Sequence, residues 1–453
     1  MIYLTKLLGV GTIALCAGFA TSDHDATGLE TTSVLELTSV AVDAKPAVPR
    51  DIDLALCLDT SGSMSGLIDS ARQRLWALVN DLAVAQPTPR IRVALLTYGS
   101  PGYGEESGFV NVDIPLTEDL DMVSMKLFEL STNGGDEYVA RVTQTAATQL
   151  DWSKDPLAMK MIVVAGNEGA EQDSQVSLEL ACGLAIEQGI VVNALYCAQG
   201  GGGAQRGQRL AQNTVQQVVV PTVAASPVAA APRPLDALAM GWKKVSTLAD
   251  GAFAMIDQNS GVLVIDTPFD EKLVALSSAL NETYIAYGSG SAWNLGNQRT
   301  QDRNAVGLNF DAAAGRAQTK AGKLYFCGWD LVDSLSRGQL AFADIKAEDL
   351  PEELRSLSPE ALQQHVDEKK TARAKIQAQI TAVGVERETW LIARRAALGK
   401  DGEMGFDSPL RKAFRELAEA RGFSFAKRQE EVVKATVEEA LPQAATAPII
   451  KNW

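Results

Sequence analysis

The stretch DLALCLDTSGSM, residues 53–64, runs without a break from apolar side chains into Asp59, Thr60, Ser61 and Ser63. An uninterrupted apolar run of this length reads as a strand covered on both faces. Its polar end holds more hydrogen-bonding side chains than a turn needs. One or two such residues make a turn or cap a helix. A nucleophilic serine requires a base, and a hard metal ion requires oxygen ligands.

Working outward, apolar runs recur at 91–99, 109–116, 159–166, 190–197 and 251–257, and helical patterns fill 64–84, 137–151, 173–188 and 236–249. Apolar strands alternating with helices imply a parallel sheet covered on both faces. The connection SPGYGEES between the second and third runs is too short for a crossover helix, so those two strands are expected to form a hairpin. The expected fold class is α/β, a doubly wound, mostly parallel sheet with one antiparallel edge strand, followed by a mainly α-helical C-terminal region. Ligands of such sheets sit at the carboxyl ends of the strands.

The remaining boundaries follow from composition. Residues 1–20 read as a secretory signal, with Lys6, a short apolar run and Gly18-Phe19-Ala20 as a cleavage site; 21–50 read as a linker. The sheet domain is assigned 51–258, with 198–234, rich in Gly, Ala, Pro and Val, as a flexible surface insertion. Residues 259–345 form a mixed connecting region whose LYFCGWDLVDSL is an aromatic patch able to dock on the sheet domain. Residues 346–440 are read as helical and 441–453 as a tail. A long charged helix starts at Ser358-Pro359, cap and first helical position. Leu362, Val366, Ile376, Ile380, Val383 and Trp390 keep a 3-4 spacing, with Lys369, Arg373 and Arg387 on the same stripe, which suits either a coiled coil or a helix packed on its own chain.

Composition excludes some functions. The net charge of -15 leaves no basic surplus for nucleic acid. The two histidines, His24 and His365, cannot build a histidine-rich zinc site, and neither stands near Ser61 or Ser63 in sequence. No G-x-S-x-G surrounds either serine, and no enzymatic activity is expected. The first apolar run is too short for a confident membrane span, so the mature chain is expected to have none and to be exported: periplasmic, at the cell surface or secreted. Cys57, Cys182, Cys197 and Cys327 remain after cleavage. They read as buried thiols, with Cys182 and Cys197 the pair closest to a disulfide if one forms.

In a loop at a strand's carboxyl end, Asp59, Ser61 and Ser63 can converge on one point and offer a carboxylate and two hydroxyls. The competing reading is a turn whose Asp59 or Ser61 merely satisfies helix amides. With these residues in place, 51–258 resembles a von Willebrand factor type A domain, and DTSGSM resembles that family's metal-ion-dependent adhesion site. The region 262–430 resembles, more vaguely, an extension found in exported, planctomycete-like bacterial proteins with this domain. The resemblance implies further ligands, a Thr from a second loop and an Asp from a third. Here the second loop, STNGGDEYVARV, puts Glu137 at the Thr position, with Asp136 beside it and Thr132 four residues before Asp136. The third loop, Ala165-Gly166-Asn167-Glu168, puts Gly166 at the Asp position, leaving Asn167 or Glu168 to reach the ion. The expected metal ligands are thus Asp59, Ser61, Ser63, Glu137, Asp136 and Glu168, the ion Mg2+ (or Mn2+ or Ca2+), and the partner a protein or glycan offering a carboxylate. The alternative is a metal-free scaffold assembling through its C-terminal helices.

Overall fold

A computed structural model describes residues 50–62, 64–198, 237–257, 265–398 and 407–425. The expected signal segment, most of the linker, the insertion, the tail and Ser63 lie outside the described residues. In chain order the first elements are β1 (Asp51–Asp59), α1 (Ser65–Ala83), β2 (Ala85–Gln86), β3 (Arg90–Tyr98), β4 (Val110–Thr117), α2 (Leu120–Glu129), α3 (Val139–Gln149), β5 (Met159–Gly166), α4 (Leu178–Glu187), β6 (Ile190–Ala198), α5 (Ala237–Leu248) and β7 (Phe253–Asp257). Six strands make one sheet in the order β4-β3-β1-β5-β6-β7. Every neighbouring pair is parallel except β3 with β4, the hairpin expected from the short connection.

The central strand shows why its sequence is continuously apolar. Successive side chains alternate between faces, so Leu54, Leu56 and Leu58 join Met161 and Val163 beneath α1, while Ala55 and Cys57 join Ile162 and Val164 beneath α3, α4 and α5. Each fully buried Leu or Ile contributes about 1.5–3 kcal/mol. Two apolar faces alone leave register weakly specified. Charge specifies it at the strand's start, where Asp51 faces Arg90 and Asp53 faces Arg92 across the β1–β3 ladder. Both arginines bind their carboxylates through two nitrogens, Arg90 at 2.8 and 2.9 Å and Arg92 at 2.8 and 2.6 Å. With that end fixed, Asp59 falls opposite Tyr98 at the carboxyl end of the sheet.

Helix α2 was not expected from the sequence. Its start is set by Asp119, whose carboxylate accepts from the amides of Asp121 and Met122, both at 3.0 Å.

The helical region comprises α6 (Asp270–Asn281), α7 (Ser291–Leu308), α8 (Phe310–Ala321), α9 (Leu331–Ser336), α10 (Pro359–Leu398) and α11 (Asp407–Ala420). A last strand, β8 (Ser424–Phe425), pairs with β2. The aromatic stretch does dock on the sheet domain: Leu324 packs against the core beneath α1, and the Tyr325 hydroxyl donates to Asp121 Oδ2 at 2.5 Å. Arg316, 1% exposed, binds Asp121 at 2.7 Å and Asp302 at 2.5 Å and lies over the Trp76 ring. Lys320, equally buried, binds Asp302 at 2.8 Å and Asn281 at 2.6 Å. Charges this deep are tolerated because each has partners.

The stripe on α10 is filled by the chain's own helices. Leu362, Val366, Ile380 and Val383 are buried there. The cations that break its apolar pattern are buried with acids distant in sequence. Arg373 binds Asp330 and Asp333, each at 2.6 Å, and Arg387 binds Asp270 at 2.7 Å and Asp311 at 2.8 Å. Lys369 donates to the Glu282 carbonyl at 2.8 Å. Packing on its own protein is therefore the outcome of the two readings, and no second strand of a coiled coil is needed to cover the seam.

All four described cysteines are free and buried. Cys182 packs in the core beneath α3 to α5, whereas Cys197 points into the core beneath α1, so the sheet separates the pair named as closest to a disulfide. Among the described residues no helix is long and apolar enough to cross a membrane.

Candidate metal centre

Asp59 ends β1 with its side chain fully buried. Its Oδ1 accepts from the Ser61 amide at 2.7 Å, closing a turn that directs the chain toward α1. The Thr60 amide and hydroxyl both bond to the Tyr98 carbonyl, at 2.8 and 2.9 Å, tying the loop to the end of β3. The residue at the cap position of α1 is Met64, and it makes no side-chain cap. The amide that Asp59 accepts belongs to the turn before α1 and not to α1 itself.

The second loop lies directly over the first. The Asn133 amide donates to the Thr60 carbonyl at 2.8 Å. Two glycines allow the approach. A Cβ on Gly135 would stand 2.5 Å from the Gly99 carbonyl oxygen, and a Cβ on Gly99 would stand 2.8 Å from Asp59 Oδ1 and 3.2 Å from Glu137 Cγ. Gly99 also has φ +85°, a conformation that disfavours any side chain. The outcome is that Glu137, buried although it is a glutamate, faces Asp59, and the Ser61 side chain hydrogen-bonds to both carboxyls.

Two buried carboxyls in contact cannot both stay ionised cheaply. Burial raises the Asp59 pKa, with Glu137 and Ser61 pulling it partly back. Burial, then hydrogen bonding and repulsion from Asp59, push Glu137 up to about 9. Asp59 Oδ2 is buried and has no hydrogen-bond partner among the described residues. A proton shared with Glu137 would satisfy it, and so would a cation.

The third loop contributes differently from the resemblance. Gly166 carries no ligand because there is no room for one: a Cβ would lie 2.5 Å from the Tyr98 hydroxyl and 3.1 Å from the Trp242 ring. Tyr98 donates to the Ala165 carbonyl at 3.0 Å, and Trp242 to the Glu168 carbonyl at 2.7 Å, so these two rings brace the loop. Asn167 is buried and the Glu168 side chain is exposed, yet the Glu168 charge still acts on Asp59 and Glu137. Asp136 is exposed, and its charge acts on Tyr138. The structure thus brings Asp59, Ser61 and Glu137 together, with Glu168 at the edge and Asp136 outside. Among the described residues no group of three or more His, Cys, Asp or Glu is placed to hold a metal. Two carboxylates and a hydroxyl are a hard-oxygen set that fits a partly hydrated Mg2+ better than a softer ion.

Gly99, Tyr98 and Trp242 were not singled out from the sequence. Gly99 had a signal, a glycine directly after an apolar run; Trp242 had none, being remote in the chain.

The model of the von Willebrand factor type A domain matches residues 53–219. No curated protein matches. Among solved structures, a conserved hypothetical protein BatB from Bacteroides thetaiotaomicron is 15% identical, over 46% of this chain and 90% of that one, with a TM-score of 0.30. A von Willebrand factor type A structure from Catenulispora acidiphila is 14% identical over 46% and 39%, with a TM-score of 0.30. Proximal thread matrix protein 1 from the mussel byssus, described with a zinc-occupied MIDAS motif, is 13% identical over 34% and 37%, with a TM-score of 0.28. From the family match and the sheet order, the segment beginning with β1 is a von Willebrand factor type A domain.

Proposed function

We propose that this protein is an exported binding module that holds a divalent cation, Mg2+ in first place, at Asp59, Ser61 and Glu137, and engages a protein partner through it. The observation that carries the reading is the buried Asp59–Glu137 pair, in which Asp59 Oδ2 has no hydrogen-bond partner among the described residues. Bound there, the ion would supply the positive charge that the two acids lack and an open position for a partner's oxygen. The chain's own residues do the rest. Ser61 fixes both carboxyls, Gly99 and Gly135 let the two loops touch, and Tyr98 and Trp242 hold the third loop away from the ion. Ser63 belongs to the same motif by sequence. Glu168 would act through its charge or through water.

Export rests on the signal-like first twenty residues, and the reading includes no catalysis. The scaffold alternative is less favoured because the α10 stripe that would mediate assembly is used within the chain. Titration calorimetry of Mg2+ and Mn2+ into the full chain tests the proposal. Heat is expected from the wild type and should be lost in Asp59→Ala. No heat from the wild type, or equal heat from both, overturns it.

A further inference from the structure

The described loops at the carboxyl end of the sheet, residues 60–62, 99–109, 130–138 and 167–177, hold Glu105, Glu106, Asp136, Glu168, Glu171 and Asp173 besides the Asp59–Glu137 pair, and no Lys, Arg or His. Among the described residues, two cations that flank these loops are already engaged. Arg141 binds Asp173 through two nitrogens at 2.9 and 3.0 Å, and Lys244 binds Glu171 at 2.5 Å and Glu179 at 2.8 Å. These acids share one neighbourhood. Glu105, Asp136 and Asp173 all act on Tyr138, which follows Glu137, and Glu168 acts on Glu137 itself. Glu105, Glu106, Asp136 and Glu168 are exposed.

Acidity alone would only describe a solvated rim. At its centre, however, is a fully buried carboxylate whose Oδ2 has no hydrogen-bond partner among the described residues, so the face is suited to receive something positive. We infer that the partner of this face is a cationic polypeptide segment, rich in Lys or Arg, that meets the rim with its charges and the ion with a single oxygen. The inference rests on the metal reading for the central contact and goes beyond it in naming the partner's chemistry. One divalent ion offsets Asp59 and Glu137 and leaves Glu105, Glu106, Asp136 and Glu168 without a cation among the described residues. An acidic surface, or a glycan without positive charge, would bring a carboxylate to the ion against that field, whereas a basic segment lowers the field as it docks.

The test uses the full chain and three labelled peptides: a short lysine-rich sequence with one Asp, the same sequence with every Lys replaced by Gln, and a glutamate-rich sequence. Fluorescence anisotropy is read in Mg2+ and in EDTA. The lysine-rich peptide should bind best and weaken at least about tenfold when salt rises from about 0.05 M to about 0.5 M. Glu105→Lys/Glu106→Lys should weaken it by a similar factor. The α10 control Asp367→Lys/Glu368→Lys carries the same charge change at exposed positions away from these loops and should not. Equal loss in both variants would show general attraction to an acidic protein and overturn the inference. So would equal binding of the glutamine or glutamate-rich peptide. The metal reading fails separately: rim-dependent binding that is unchanged in EDTA, with no calorimetric Mg2+ heat, supports the cationic partner and removes the ion.

Discussion

Glu137→Gln should reverse the sign of its effect on stability when metal is added. Without metal, the folded chain holds Glu137 at about 9, against 4.5 for an unperturbed glutamate. A carboxyl raised on folding binds a proton the unfolded chain has released, so its contribution is fully present below about pH 4.5 and declines as pH rises toward 9. Each unit of that interval is worth at most about 1.4 kcal/mol. The interval from 4.5 to pH 8 sets a ceiling of about 5 kcal/mol, and solvent at the open side of the pair reduces it to about 1–2 kcal/mol. Glutamine keeps the shape, never ionises and can donate to Asp59 Oδ2. In EDTA near pH 8 the variant should therefore be the more stable by about 1–2 kcal/mol, a difference that fades near pH 5. In Mg2+ at about a hundred times its dissociation constant, the wild type gains about 2.7 kcal/mol and the variant little, so the order inverts. Urea denaturation at the two pH values, with and without Mg2+, measures this. A variant that is less stable in EDTA at pH 8, or that responds to Mg2+ as the wild type does, refutes the reasoning.

Gly99→Ala should cost about 2 kcal/mol or more, from the positive φ and from the contact with Asp59 Oδ1; thermal melts should show it, together with a reduced Mg2+ shift. Gly166→Asp, which would put an aspartate where the family has one, should destabilise by about 2 kcal/mol or more without raising Mg2+ affinity, because Tyr98 and Trp242 occupy the space. Calorimetry showing tighter binding would contradict that. Arg316→Met should cost about 3–5 kcal/mol in urea denaturation by leaving Asp121 buried without its cation and Asp302 with Lys320 alone; a cost under about 1 kcal/mol would mean that the network contributes little to holding the helical region on the sheet domain.

The sheet was legible because a strand buried on both faces must be apolar throughout, and five further runs of that kind stood between helical patterns. The hairpin was legible from loop length alone. Helix α2 was missed although Asp119 marks its start, because its short pattern lies directly after a strand. The α10 stripe and the cysteines show a different limit. Arg373 and Arg387 look out of place on an apolar stripe until Asp330, Asp333, Asp270 and Asp311 arrive from elsewhere in the chain. Spacing places Cys182 and Cys197 close together, and only the direction of alternate side chains puts the sheet between them.

For the site the division is similar. The sequence by itself determined that Asp59, Ser61 and Ser63 end a buried strand as a group of hard oxygens, since that is local chemistry carried by neighbouring residues. It could also name Glu137, Asp136 and Glu168 as candidates, without ranking them. Tertiary structure decided that Glu137 faces Asp59 while Asp136 faces solvent, and that Gly166 is small because Tyr98 and Trp242 fill the space above it. Those outcomes depend on distances between segments far apart in the chain, set by how closely glycines let two loops approach.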